Sequence, residues 1–170
     1  MHGYTDPSKA DWLIERLKRN EYFCLVSDAG TPGISDPGYA LVSKARNAGV
    51  QIEVIPGPSA FLAALSTSGL PIHQFLYLGF LPLKKGRKTL MDSFVKEERT
   101  IVFYESVHRI ERTLMELSEV LKAQPTRRIV IARELTKLHE EILSTTVADL
   151  SDVAKSMTKK GEFVLMIGMA

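Results

Sequence analysis

The chain has 170 residues, enough for one domain of ordinary size or two small ones, and its 45% hydrophobic and 25% charged residues are those of a soluble globular protein. A formal charge of +2 is too small to argue for nucleic acid by itself. No stretch approaches the roughly 20 apolar residues of a membrane span, and Met1-His2-Gly3-Tyr4 lacks the basic-then-apolar pattern of a secretory signal, so a cytoplasmic protein is expected.

Asp6-Pro7 is a helix start, a capping carboxylate before proline at the first helical position. Trp12, Leu13 and Leu17 carry that helix to about Asn20. Residues 22–27 read as a buried strand. The only cysteine, Cys24, sits in it, which forbids an internal disulfide. It reads as a small buried strand residue in a reducing compartment rather than a catalytic thiol. A loop rich in Gly and Pro follows, then a helix over 39–47 closed by Ala48-Gly49, a strand over 51–55, the turn Pro56-Gly57-Pro58-Ser59, and a helix over 60–68 ended by Gly69. Strand, helix and strand with short links predict a parallel sheet with right-handed crossovers.

The rhythm breaks at the apolar segment 75–82 and the basic run Lys84-Lys85-Gly86-Arg87-Lys88. The lobe boundary is therefore expected between residues 78 and 79, giving lobes 1–78 and 79–170. Beyond it come a helix over 89–95, a strand over 100–104, and a long helix whose inward face is Val107, Ile110, Leu114, Leu117 and Leu121. A strand over 128–133, a weaker one over 140–146, a helix over 147–157, a tight turn at 159–162 and a strand over 163–167 complete the chain. The fold class is α/β in two lobes. A doubly wound nucleotide-binding lobe normally opens with a strand and a Gly-rich turn, whereas this chain opens on a helix.

The loop Ser27-Asp28-Ala29-Gly30-Thr31-Pro32-Gly33-Ile34-Ser35-Asp36-Pro37-Gly38 follows an expected parallel strand, where open α/β sheets bind ligands. Its glycines allow close backbone approach, and Asp28, Thr31, Ser35 and Asp36 offer polar partners. It exceeds what a connection needs. It is neither a P-loop, lacking the lysine, nor GxGxxG. The turn 56–59, with Ser59 as helix cap, follows the next strand and would form a crevice beside the first loop. Phe103-Tyr104-Glu105-Ser106-Val107-His108-Arg109 lies at a third strand end. Glu105 and His108 are acid or base candidates and Arg109 a phosphate holder. That reading stands level with a plain one, in which Ser106 caps the helix and Glu105 pairs with Arg109. Ala132-Arg133-Glu134-Leu135-Thr136-Lys137 ends a fourth strand, as a charge-paired substrate wall or a solvated loop. The basic run 84–88 suits a phosphate backbone, though so short a run is more often a solvated linker. No His, Cys and carboxylate set has metal-ligand spacing.

Taken in order, these motifs, with Ile55-Pro56-Gly57-Pro58-Ser59-Ala60 and Gly79-Phe80-Leu81-Pro82, resemble the small-subunit ribosomal RNA methyltransferase I family of the tetrapyrrole (corrin/porphyrin) methylase superfamily. The resemblance runs from about Leu25 to Gly168. It implies a tetrapyrrole-methylase-like fold of two lobes with the cofactor between them, S-adenosylmethionine as methyl donor, and a cytidine ribose 2′-hydroxyl in small-subunit ribosomal RNA as acceptor. It also implies a homodimer. By the motif match, Asp28, Ala29, Gly30, Thr31, Pro32, Ile34, Ser35, Asp36, Gly57, Ser59, Ala60, Phe80 and Leu81 would contact cofactor. Tyr104, Ser106, Arg109, Arg133, Glu134 and Thr136 would face the substrate. The family's opening strand, its Pro-Ile-Gly-Asn type loop and its Glu-Asp-Thr-Arg motif do not occur here, so the N-terminal lobe is expected to be incomplete.

Methyl transfer to a ribose hydroxyl needs alignment, and gains from a base or from a cation that stabilises the alkoxide. Glu105, His108 and Lys137 are the catalytic candidates. Two further readings compete: a methylase of small tetrapyrroles, against which the basic run and the Glu-Ser-x-His-Arg cluster stand, and an inactive binding or dimerisation fragment. Apolar residues left uncovered by an incomplete lobe are expected to promote self-association.

Overall fold

The structure, a computed structural model, describes residues 7–170. The chain divides into two compact units, Met1–Ser59 and Ala60–Ala170. The expected capping residue Asp6 lies outside the described residues.

In the first unit, α1 (Pro7–Lys18) packs on α2 (Tyr39–Asn47), burying Ile14 and Ala45, with an ion pair between Asp11 and Lys44. Proline at the first turn costs α1 nothing, since its missing N–H would have no partner there. The end of α2 is closed by Gly49, which donates to the Arg46 carbonyl at 3.0 Å, and by Val50, which donates to the Ala45 carbonyl at 3.0 Å. The expected strands 22–27 and 51–55 are not formed, and the expected parallel sheet is absent among the described residues of this unit. A strand exists only by sharing a ladder, and neither segment has one here. Their apolar side chains face outward: Tyr22 is 98% exposed and Ile55 86%. Cys24, expected in a core, is likewise exposed.

The second unit holds α3 (Ala60–Thr67), β1 (Phe75–Phe80), α4 (Arg87–Ser93) running into a 3₁₀ turn at Phe94–Lys96, β2 (Thr100–Glu105), α5 (Ile110–Val120), β3 (Arg128–Arg133), β4 (Glu141–Thr146), α6 (Leu150–Ser156) and β5 (Phe163–Ile167). Its five strands form one mixed sheet in the order β1-β2-β5-β3-β4, with β1 and β2 parallel and every other pair antiparallel. β1 extends to Phe80, so the expected boundary at 78/79 falls inside a strand paired on both sides of that point. The ladder and the packing of α3 tie residues 60–80 to the C-terminal unit.

Alternation along β2, β3 and β5 sends residues to two cores. Ile101, Phe103, Ile129, Ile131, Phe163 and Leu165 meet the apolar stripe of α5, where Ile110, Leu114, Leu117 and Leu121 are fully buried, together with α4 and α6. Val102, Val130, Val164 and Met166 point the other way, onto Phe61, Ala64 and Leu65 of α3. Each such large side chain contributes about 1.5–3 kcal/mol by leaving water. Helices on both faces therefore leave the central strands continuously apolar, which made them legible as short apolar runs.

Candidate functional site

The candidate residues form two groups, one in each unit. In the first unit, loop 28–36 lies against turn 56–59. Thr31 Oγ1 donates to the Pro58 carbonyl at 3.0 Å. A Cβ on Gly57 would come to 3.3 Å from Thr31 Oγ1, and one on Gly30 to 3.7 Å from the Pro58 oxygen, so small residues let the two backbones close. Ser27 Oγ donates to the Gly30 carbonyl at 3.0 Å and holds the loop's near end. Ser35 sits at φ +54°, a left-handed conformation that costs a non-glycine residue about 1–2 kcal/mol and gathers at binding sites. Asp28 and Asp36 carry no side-chain hydrogen bond or ion pair among the described residues. Ser59 does not cap α3: its Oγ is buried with no hydrogen-bond partner. The first-turn N–H of Phe61, which a cap would take, donates instead to the Tyr104 hydroxyl at 3.3 Å. A buried orphan hydroxyl, glycine backbone faces and two unpaired carboxylates are a donor and acceptor set that fits a small polar ligand such as S-adenosylmethionine.

In the second unit the candidates collect at one end of the sheet. The ladders put Phe80 opposite Tyr104, Glu105 opposite Phe163, Phe163 opposite Arg133, and Arg133 opposite Glu141. The carboxyl ends of β1, β2 and β3 thus share one edge, the edge at which α/β sheets bind ligands. Between Tyr77 and Phe80 the ladder slips: Leu78 and Gly79 together face Phe103, and Gly79 takes φ +61°. This bulge places Phe80 on the same face as Tyr77, where an unbroken strand would have turned it away. Phe80 then packs on Tyr104 at 5.4 Å between ring centroids and stays 53% exposed. Leu81, expected beside Phe80 as a contact residue, points instead into the core and is 2% exposed, because the α4–α5 side of the sheet needs an apolar plug there.

Glu105 is the hub of a buried polar network. Its Oε1 accepts from the Ser106 N–H at 2.8 Å and pairs with Arg109 Nη2 at 2.8 Å. Its Oε2 accepts from Thr113 Oγ1 at 2.7 Å and lies 3.8 Å from Arg87 Nη1. Arg87 also donates to Thr113 Oγ1 at 2.7 Å, to Glu116 at 2.8 Å and to the Pro82 carbonyl at 3.3 Å. Arg109 donates to the Leu81 carbonyl at 3.0 Å. A carboxylate so fully engaged, with its side chain entirely buried, is an anchor rather than a free base. Arg109 is equally committed, which removes it as a free phosphate holder. The side chain of Ser106 is not the α5 cap; its carbonyl accepts from Arg109 and Ile110, each at 3.0 Å. His108 is exposed beside this network and has no hydrogen bond or ion pair among the described residues.

The β3–β4 loop carries the remaining candidates. Glu134 at φ +50° and Thr136 at φ +64° are two more non-glycine residues in left-handed conformations. Glu134 Oε1 accepts from the Glu162 N–H at 2.9 Å and from Lys137 Nζ at 3.0 Å. Lys137 also reaches Glu162 at 2.8 Å. Hydrogen bonds to Glu162 and then Glu134 hold the Lys137 ammonium above its ordinary range, so at neutral pH it is a cation and not a base. The Glu162 N–H and then Lys137 hold the Glu134 carboxyl below its own. Glu134 lies across Gly161, where a Cβ would meet its side chain at 2.4 Å. Arg133 donates to Glu141 at 3.0 Å and to the Lys160 carbonyl at 3.3 Å.

The sequence profile of the Tetrapyrrole (Corrin/Porphyrin) Methylases matches residues 6–151. The chain belongs to that family. Ribosomal RNA small subunit methyltransferase I of Xylella fastidiosa is 45% identical over 170 residues, covering 98% of this chain and 62% of that protein. The Vibrio cholerae protein of the same name is also 45% identical, over 98% of this chain and 58% of its own length. The chain thus spans about three-fifths of the curated relatives it matches. Among solved structures, cobalt precorrin-4 methyltransferase superposes with a TM-score of 0.68 at 17% identity, covering 98% of this chain and 72% of that one. Uroporphyrin-III C-methyltransferase of Thermus thermophilus, complexed with S-adenosylhomocysteine, gives 0.62 at 20% identity, covering 98% and 74%. These two likenesses concern the fold alone.

Two members of the buried Glu105 network escape a linear reading. Arg87 looks like one more cation of a basic run, yet it is 5% exposed. Thr113 is fully buried between Arg87 and Glu105. A signal for Thr113 was available: it is the polar residue in the inward stripe Ile110, Thr113, Leu114 and Leu117. No comparable signal marks Arg87.

Proposed function

We propose that this chain is the greater part of an S-adenosylmethionine-dependent methyltransferase that methylates the ribose 2′-hydroxyl of a cytidine in small-subunit ribosomal RNA. The observation that carries the reading is the 45% identity, over nearly the whole chain, to proteins named ribosomal RNA small subunit methyltransferase I. Bound S-adenosylmethionine would supply a methyl group already activated by its sulfonium. In this reading the cofactor is held by Asp28, Ala29, Gly30, Thr31, Pro32, Ile34, Ser35, Asp36, Gly57 and Ser59. The orphan Ser59 hydroxyl and the unpaired Asp28 and Asp36 support that assignment.

The substrate edge comprises Tyr104, Ser106, Arg133, Glu134 and Thr136, with Arg109 fixing the backbone beneath it. His108 takes the proton of the ribose hydroxyl, since it alone of the three candidates is both exposed and without a hydrogen bond or ion pair among the described residues. Lys137 stabilises the developing alkoxide as a cation, and Glu105 acts as the anchor of the network. The enzyme works in the cytoplasm as a homodimer. The exposed Tyr22, Val26, Val54 and Ile55 drive self-association of the isolated chain, and a strictly monomeric sample in light scattering would overturn that.

The test uses methyl-labelled S-adenosylmethionine with small ribosomal subunits. Label is expected in RNA, in a dinucleotide that survives alkali, because a 2′-O-methyl group blocks cleavage of the adjoining linkage. Label in an alkali-sensitive nucleotide, or in a uroporphyrinogen and not in RNA, would sink the reading.

A further inference from the structure

The basic run 84–88 separates into two parts in the structure. Arg87 turns inward and is spent on Glu105, Glu116, Thr113 and the Pro82 carbonyl. Lys84, Lys85 and Lys88 stay exposed and have no ion pair or side-chain hydrogen bond among the described residues. Lys18, Lys44, Lys122, Lys137, Lys155 and Lys159 sit on carboxylates, and Lys9, Lys96 and Lys160 stand unpaired but scattered among the described residues, so Lys84, Lys85 and Lys88 differ in being unpaired and clustered within five residues. No Asp or Glu occurs between Glu53 and Asp92, and the carboxylates that Arg87 reaches, buried Glu105 and half-buried Glu116, already face arginines. The turn is also held in place. The Arg87 N–H donates to the Lys84 carbonyl at 3.2 Å, and Leu90 N–H donates to the Gly86 carbonyl at 3.0 Å. Arg87 and Arg109 grip the carbonyls of Pro82 and Leu81 just before it. Three uncompensated ammonium groups therefore stand on a fixed turn that follows the carboxyl end of β1.

We infer that Lys84, Lys85 and Lys88 form a phosphate-backbone docking surface for the RNA substrate, with Arg87 as the inward peg that aims it. This rests on the RNA reading above. Lysines act on phosphate as point charges, so the surface contributes affinity and salt dependence without reading sequence.

The experiment is fluorescence anisotropy of the chain with a labelled RNA hairpin carrying cytidines in its loop, over a series of salt concentrations. The Lys84→Gln, Lys85→Gln, Lys88→Gln variant is expected to lower the slope of log affinity against log salt by about 2 and to weaken binding roughly tenfold at 0.1 M salt. Titration with S-adenosylhomocysteine should be unchanged. A charge-matched control, Lys96→Gln, Lys122→Gln, Lys155→Gln, should keep the wild-type slope. If the control loses as much slope, net charge alone explains the effect and the inference falls. An unchanged slope in the first variant, with RNA still bound, overturns it while leaving the substrate reading intact. If the wild-type chain binds no RNA, the substrate reading falls and takes this inference with it.

Discussion

The two ends of the sheet in the second unit each hold a buried arginine, and each end uses it differently. At the carboxyl end of β1 and β2, Arg87 meets charge: Glu116 at 2.8 Å and Glu105 at 3.8 Å, with Arg109 and Arg112 on the far sides of those carboxylates. At the other end Arg127 donates only to neutral acceptors, namely the carbonyls of Gly168 (2.7 Å), Phe94 (2.7 Å) and Glu97 (3.1 Å) and the side chain of Gln124 (2.9 Å). Burial pushes the Arg127 guanidinium below its ordinary value, opposed by the charge of Glu97. Arg127 is a staple for chain ends that would otherwise leave buried carbonyls unsatisfied. The Arg87 network instead fixes the direction of a segment, 80–82, through the carbonyls of Pro82 and Leu81. A charge set against charges orients; a charge set against carbonyls closes.

The strongest way to break this contrast is Arg127→Met. Three backbone carbonyls and Gln124 lose their donor, and a loss of about 4 kcal/mol is expected in urea unfolding. A loss under about 1 kcal/mol would show that water replaces the staple. Glu105→Ala should cost about 3 kcal/mol, because Arg87 and Arg109 are left facing each other without their shared partner. Adding Arg87→Met to it should return part of that loss, and strict additivity of the two would deny that they act as a unit. Gly161→Ala tests the loop at the same end. The new methyl displaces Glu134 and strains a φ of +90°, so about 2 kcal/mol and the Lys137 contact should be lost together. Tyr104→Phe removes the hydroxyl that receives the Phe61 N–H and should cost about 1 kcal/mol in thermal unfolding.

The smallest effect concerns pH at the Arg127 end. The Arg99 side chain and then its backbone N–H hold the Glu97 carboxyl near 2, below its ordinary 4.5. A carboxyl depressed on folding adds stability that is complete above the unfolded value and fades as pH falls from about 4.5 toward 2. Glu97→Gln should therefore match wild type near pH 2 and be the less stable of the two above pH 5, as read by urea midpoints across pH. A difference that grows on acidification has the wrong sign and would remove Arg99 as the cause.

Most of the second unit is readable along the chain. The apolar runs 128–133 and 163–167 are strands with the expected bounds, and the stripe Ile110, Leu114, Leu117 and Leu121 faces inward as its spacing requires. The candidate site was legible as motifs but not as roles. Glu105, His108 and Arg109 are neighbours of equal promise in sequence. Burial separates them into an anchor, an exposed imidazole and a committed arginine.

What the sequence by itself determined is what depends on near neighbours: helix and strand periodicity, the cap at Gly49, and the ordered motifs that assign the family. The tertiary structure alone decided the rest. Whether 22–27 and 51–55 become strands depends on a ladder partner, which no local pattern contains. Whether a lysine-rich run lies in solvent or sends Arg87 into the core depends on Glu105, Thr113 and Glu116 arriving from other elements. The same holds for the slip at Gly79, which turns Phe80 toward Tyr104. In each case the residue's chemistry is local, while the free energy that selects its use comes from groups far away along the chain.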